Sequence, residues 1–177
     1  MRFGRSITRP FQSAYQEAAI KQFTHKIRIY WPDCDSAGIV FNGNYVRFFE
    51  TAEEELYRAA GTPRQELLNR LQLALPRVET WARFRKRTNL GDLIAVTTWI
   101  EKRTEKSLLY CFEVRRNEEP KVIVEGSYWV TFVTFPQFQA VPVPQEILEL
   151  LKDYMPPLSQ SDRAARTVHP YRSATSR

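Results

Sequence analysis

Two acids, two glycines and two asparagines fall within the run Asp33-Cys34-Asp35-Ser36-Ala37-Gly38-Ile39-Val40-Phe41-Asn42-Gly43-Asn44-Tyr45. Strand-forming residues precede this run and helix-forming residues follow it. A carboxylate a few residues before a helix start is favoured in its ionised form by the helix dipole and the free N–H groups there. An ionised carboxylate beside a carbonyl can attack it or take a proton from water. The carbonyl oxygen then needs donors aimed at its growing charge, and the backbone N–H groups around Asn42, Gly43 and Asn44 can supply them. Asp35 is therefore the candidate reacting group, with Asn42 and Gly43 as candidate oxyanion donors. Gly38 and Gly43 allow close backbone approach. A plain Asp-Ser turn with no chemistry accounts for the same spacing.

The neighbours divide into lesser roles. Asp33 reads as a turn or hydrogen-bonding residue, and Asn44 as either a helix cap or a residue that orients the Asp35 loop. Glu50 reads as a buried structural polar contact, and Glu53, Glu54 and Glu55 as solvated positions with one partly buried contact. Phe41, Tyr45, Phe48 and Phe49 offer aromatic walls that suit either an aryl or an alkyl group. Cys34 invites a nucleophile reading, but His25, the one histidine before the C-terminal tail, lies on the preceding strand, which argues against a Cys-His pair. Cys34 and Cys111 show no metal-ligand spacing and are too few for a disulfide scaffold. No Gly-x-Ser-x-Gly elbow, phosphate-cradling glycine loop or zinc ligand set is present, so neither a metal nor a cofactor is expected.

The elements that must position these residues follow from periodicity. Phe23, His25, Ile27 and Ile29 alternate with Thr24, Lys26, Arg28 and Tyr30, predicting a strand over 23–30 that Pro32 ends. Tyr45, Phe48, Phe49, Ala52, Leu56, Ala59 and Ala60 predict a long helix over about 43–60, capped by Asn42 or Asn44 and stopped by Gly61 and Pro63. A short helix is predicted over 63–71. Strand patterns then run over 73–86 (broken by Pro76), 93–101, 107–116 and 121–135, and a short helix over 146–154 follows Pro144. One apolar-faced helix followed by consecutive strands predicts an α+β fold: an antiparallel sheet curled around one central helix. The open sheet edges predict self-association.

At 177 residues, 43% of them hydrophobic, the chain suits one globular domain with tails. Residues 1–22 read as a basic N-terminal arm with a short helix over 11–20, residues 23–156 as the domain, and residues 157–177 as a disordered Ser/Arg-rich tail. The net charge of +6 lies in the tails: residues 13–156 carry 19 basic and 19 acidic side chains. That argues against a nucleic-acid-binding core. No apolar run approaches membrane-spanning length, and the Arg-rich start reads as a basic arm in preference to a transit peptide. No membrane association and a cytoplasmic location are expected.

The run from Asp33 to Tyr45, with Arg47 and Glu50 after it, resembles the signature of the 4-hydroxybenzoyl-CoA thioesterase family, and the order of elements agrees from about Phe23 to Phe135. The resemblance implies a hotdog fold and hydrolysis of an acyl-CoA thioester without a cofactor. It also implies a homo-oligomer, a dimer or a tetramer of dimers, with sites between subunits. The family's aspartate, nucleophile or general base, falls on Asp35, and its backbone oxyanion donor on Asn42. Asn42-Gly43 departs from the family's usual Tyr or His followed by Pro or Ala, so the acyl preference does not carry over. Lys106-Ser107 matches the family's position for the nucleotide end of CoA, and Arg85, Lys86 and Arg87 form a second basic cluster. Hotdog hydratases pair Asp with a later His, and none follows Asp35 before His169. Hydrolysis of acyl groups from an acidic carrier protein, and acyl-CoA binding without turnover, are the alternatives.

Overall fold

A computed structural model describes residues 20–117 and 119–157. The basic arm, the helix expected over 11–20 and the C-terminal tail therefore lie outside the described residues, apart from Ile20–Gln22 and Pro157. The elements in order are β1 (Phe23–Arg28), α1 (Asn44–Ala60), α2 (Arg64–Leu71), β2 (Leu73–Ala74), β3 (Arg77–Phe84), β4 (Leu93–Arg103), β5 (Ser107–Arg116), β6 (Val122–Thr131), β7 (Val133–Thr134) and α3 (Gln145–Leu150). Five strands make an antiparallel sheet in the order β1-β4-β5-β6-β3, while β2 and β7 pair as a separate ribbon. The sheet curls around α1, as the strand series implied, and this is the hotdog architecture that the family resemblance implied.

The first strand stops at Arg28, two residues short of expectation, because Trp31–Asp33 winds into a single 3-10 turn around Pro32. The central helix ends as expected, with Gly61 in the left-handed conformation at φ 119°. Its start differs: Gly43 occupies the cap position and no side chain caps the helix. Asn44 is already the first helical residue, and its amide is used elsewhere.

The buried face of α1 is Tyr45, Phe48, Phe49, Ala52, Glu53, Leu56 and Tyr57. Ala59 is exposed instead of buried. Tyr57 takes the last inward position because its hydroxyl meets that of Tyr110 on β5 at 3.0 Å. Phe48 and Phe49 are fully buried, each contributing about 1.5–3 kcal/mol by the area removed from water. Phe49 stacks on Phe112 with ring centroids 4.6 Å apart. A Cβ added to Gly126 of β6 would lie 2.3 Å from the Phe49 ring, so only glycine lets the helix come this close to the sheet.

Alternation along β5 puts Leu108, Tyr110, Phe112 and Val114 on one face, and all four are buried. The strand buries Ser107, Leu109 and Cys111 as well. It is the middle strand, and on its outer side Trp99 stands opposite Cys111 and Trp129 opposite Leu109. Those half-buried indoles shield their neighbours from water.

The acidic run of α1 also departs from expectation. Glu53 is fully buried. Its carboxylate accepts hydrogen bonds from the Tyr128 hydroxyl and from Arg77 at 2.8 Å. Arg64 approaches its other oxygen at 3.1 Å, close enough for ion pairing but not aligned as a hydrogen bond. Glu50 is half-exposed and pairs with Arg77 at 3.0 Å and Arg64 at 3.3 Å. The cluster joins α1, α2, β3 and β6 through charge where apolar packing runs out.

Candidate active site

The loop between β1 and α1 is a small closed structure. Asp35 N–H donates to the Ile39 carbonyl at 2.9 Å, Gly38 N–H donates to the Asp35 carbonyl at 3.0 Å, and Cys34 bridges to Val40. Gly38 supplies the positive φ of 72° that the reversal needs. The Asp35 side chain points out of this turn into solvent, and its Oδ1 accepts from Ala37 N–H at 2.8 Å. The carboxylate is thus fixed by its own loop and not by the helix amides.

Asp33 anchors the loop. It is buried, its Oδ2 accepts from Tyr30 N–H at 2.9 Å, and its Oδ1 pairs with Arg47 of α1. Its carbonyl accepts from Phe41 N–H and from Asn44 Nδ2, both at 2.9 Å. Asn44 therefore orients the loop and does not cap the helix. Asp33 is the hydrogen-bonding residue its position suggested.

The three candidate backbone donors are not equivalent. Gly43 N–H donates to Asn42 Oδ1 at 3.0 Å, and Asn44 N–H to the Phe41 carbonyl at 2.9 Å. Asn42 N–H donates no hydrogen bond among the described residues. Of the two expected oxyanion donors, Asn42 is available and Gly43 is committed. The absent side chain of Gly43 serves a different purpose: a Cβ there would lie 2.6 Å from the Phe41 ring, which folds back over it.

The aromatic wall is also redistributed. Tyr45 is buried, donates its hydroxyl to Thr88 Oγ1 or accepts from it at 2.8 Å, and packs on Phe48 and Phe84. Tyr45, Phe48 and Phe49 thus belong to the core within one chain, because the helical stripe they share turns into the sheet. Phe41 remains at the surface, with Tyr30 and Trp31 at 65% and 75% exposure flanking the same loop. The signal for the latter pair was present in Tyr30-Trp31-Pro32, two aromatics at the point where proline ends the strand.

Lys106 and Ser107 stand elsewhere. They begin β5 at the turn after β4, whereas Asp35 lies beyond the other end of β4, where Arg28 pairs with Leu93. The 11 residues of β4 separate the two ends by about 33 Å. Ser107 is buried and bonded to Thr131, and Lys106 reaches the Ala140 carbonyl at 3.4 Å. One chain does not bring them to Asp35.

Cys34 lies between the two acids, and its thiol donates to the Tyr30 carbonyl at 3.7 Å. Desolvation, then the charges of Asp33 and Asp35, hold its pKa above the ordinary thiol value, which keeps it protonated and a poor nucleophile. No group of three or more His, Cys, Asp or Glu side chains suited to a metal ion occurs among the described residues.

The sheet is curled around one helix, and an exposed aspartate and an uncommitted amide stand at the entry of that helix. The chain belongs to the Thioesterase-like superfamily, whose description matches residues 29–151. It is 29% identical to the acyl-CoA thioesterase YbgC of Haemophilus influenzae over 126 residues, covering 71% of this chain and 90% of that protein. It is 31% identical to the 4-hydroxybenzoyl-CoA thioesterase of a Pseudomonas species over 98 residues, 54% of this chain and 70% of that one. The fold is that of the Synechocystis 1,4-dihydroxy-2-naphthoyl-CoA thioesterase, with a TM-score of 0.69 at 20% identity over 75% of this chain and 97% of the other.

Proposed function

We propose that the chain hydrolyses acyl-CoA thioesters, with Asp35 as the reacting carboxylate and Asn42 N–H as the oxyanion donor. The observation that carries this reading is the pairing of an exposed, loop-fixed carboxylate with an uncommitted amide at the entry of the central helix. As nucleophile, Asp35 adds to the thioester carbon, the C–S bond breaks, and the CoA thiolate leaves and takes a proton from water. A second water then cleaves the acyl anhydride and restores the carboxylate. As general base, Asp35 takes a proton from water while the oxygen adds to the carbon, and the proton passes to the departing sulfur. Either way negative charge grows on the acyl oxygen, where a fixed N–H in a site that excludes water contributes most. The names and reaction of the relatives support CoA as the thiol carrier.

Within one chain the acyl side is open: Tyr30, Trp31 and Phe41 are exposed. A second copy of the chain closing over them supplies the missing wall and excludes water. The separation of Asp35 from Lys106 supports the same arrangement, since both can serve one ligand only from two chains.

The test is release of free thiol from a panel of aryl- and fatty acyl-CoAs. Cleavage of at least one, lost in Asp35→Asn, supports the assignment. No cleavage of any, or an Asp35→Asn variant as fast as the parent, sinks it. Binding without turnover would favour a non-catalytic module, and cleavage confined to carrier-protein thioesters would favour the carrier reading.

A further inference from the structure

Between β3 and β4 the chain carries three consecutive basic residues, Arg85, Lys86 and Arg87. Arg85 is committed, with hydrogen bonds to Glu125 at 2.8 and 3.0 Å. Lys86 and Arg87 are exposed, and neither side chain has a hydrogen-bond or ion-pair partner among the described residues. They line a groove of about 610 Å³ with Asn89, Asp92 and Arg116. The acid of the groove is already satisfied: Asp92 Oδ2 accepts from Asn89 N–H at 2.9 Å and from Arg116 Nε at 3.1 Å. Arg116 in turn donates to the Arg87 carbonyl at 2.8 Å, which fixes the backbone that presents Arg87. Among the described residues that line it, the groove therefore offers two uncommitted cations on a hydrogen-bonded frame and no uncommitted carboxylate.

This frame is continuous with the Asp35 loop. Val40 N–H donates to the Thr88 carbonyl at 2.9 Å, and Ile39 bridges to Asn89. From Asp35 the path is one step to Ile39, one to Asn89 and three residues back to Lys86. At about 5 Å per cross-strand step and ~3.5 Å per extended residue, Lys86 lies within ~20 Å of Asp35. That span is of the order of an extended pantetheine arm. Lys106, at the far end of β4, cannot meet this condition in the same chain.

We propose that the Lys86–Arg87 groove binds the phosphate groups that lie beyond the pantetheine arm of the substrate thioester. Arg87 and Lys86 donate to phosphate oxygens, and the Asn89 amide adds a neutral donor. The proposal rests on the thioester-hydrolase reading of Asp35, but its test reads binding alone. The ligand chemistry, a phosphate at the end of a pantetheine arm, is shared by CoA and by the prosthetic group of a carrier protein.

The experiment is calorimetric titration of the full chain with CoA, 4′-phosphopantetheine and pantetheine, for the parent, for Lys86→Ala/Arg87→Ala and for the charge-retaining Lys86→Arg/Arg87→Lys. The parent should bind CoA at least about tenfold more tightly than pantetheine, the worth of one charge-assisted hydrogen bond. The alanine variant should lose that difference with unchanged pantetheine affinity, and the charge-retaining variant should keep most of it. Phosphopantetheine equal to CoA places the linking phosphate in the groove, as a carrier protein would present it. A weaker phosphopantetheine places the nucleotide phosphates there. Unchanged CoA affinity in the alanine variant, or a parent that binds CoA no better than pantetheine, overturns the proposal. Groove-dependent CoA binding without thioester cleavage would sustain it and sink the hydrolase reading instead.

Discussion

Asp35 and Asp33 are two residues apart and do opposite things, and the difference is their hydrogen-bond partners. Asp33 is buried, with a backbone N–H on one oxygen and Arg47 on the other. Asp35 is exposed and holds one backbone N–H. Replacing Asp35 with Asn keeps the Oδ1 acceptor for Ala37 N–H and removes only the charge. Thermal unfolding should therefore be unchanged while kcat falls at least ~10²-fold, the scale of positioned acid–base chemistry. Cys34 reports on the same charge from the other side. Asp35 helps raise the thiol pKa, so removing it lowers the pKa and increases the thiolate fraction. Iodoacetamide should label Cys34 slowly in the parent at neutral pH and faster in Asp35→Asn. Equal rates in the two would show that the charge does not reach the sulfur.

At the scale of elements, the meeting of α1 with the sheet depends on what β6 leaves out. Gly126→Ala forces a methyl into the Phe49 ring, which is pinned by Phe112 behind it. A loss of about 1–3 kcal/mol in denaturant unfolding is expected. The Glu53 cluster is the second junction. Glu53→Gln leaves Arg64 and part of Arg77 facing a neutral amide in a buried site, at about 3–5 kcal/mol. Glu50→Gln, half-exposed beside the same arginines, should cost no more than about 1 kcal/mol. Equal effects of the two would mean that burial does not set the importance of this cluster.

For the whole molecule, the open features all lie at its edges. Among the described residues β3 is an edge strand whose one strand neighbour is β6, with Val78 and Phe84 exposed along it. Such an edge is a template for a second copy. Light scattering should give a mass of at least two chains, and Val78→Lys should shift it toward one. Thioester turnover should fall with it, because the Tyr30-Trp31-Phe41 surface would lose its cover. A fully active monomer would sink the two-chain site. Among the described residues no helix is long and apolar enough to cross a membrane.

The amino-acid sequence by itself determined the element series, the central helix and the Asp35 loop. Each follows from short-range facts: the alternation before Pro32, the 3.6-residue stripe from Tyr45 to Leu56, the glycine that ends it. It marked Asp33 as a turn or hydrogen-bonding residue, and it left Asn44 open between capping the helix and orienting the loop, which the fold decided for the loop. Only the tertiary structure decided which side chains reach the surface there. Tyr45, Phe48 and Phe49 share one stripe with the core positions, so periodicity cannot tell a substrate wall from packing, and it is the sheet above them that buries all three within one chain. Glu53 reads as solvated in a run of three glutamates, and becomes buried only because Arg64, Arg77 and Tyr128 arrive from three other elements. The committed Gly43 amide and the uncommitted Lys86 and Arg87 have the same origin. Hydrogen-bond and ion-pair partners depend on distances across the fold, and spacing along the chain carries no record of them.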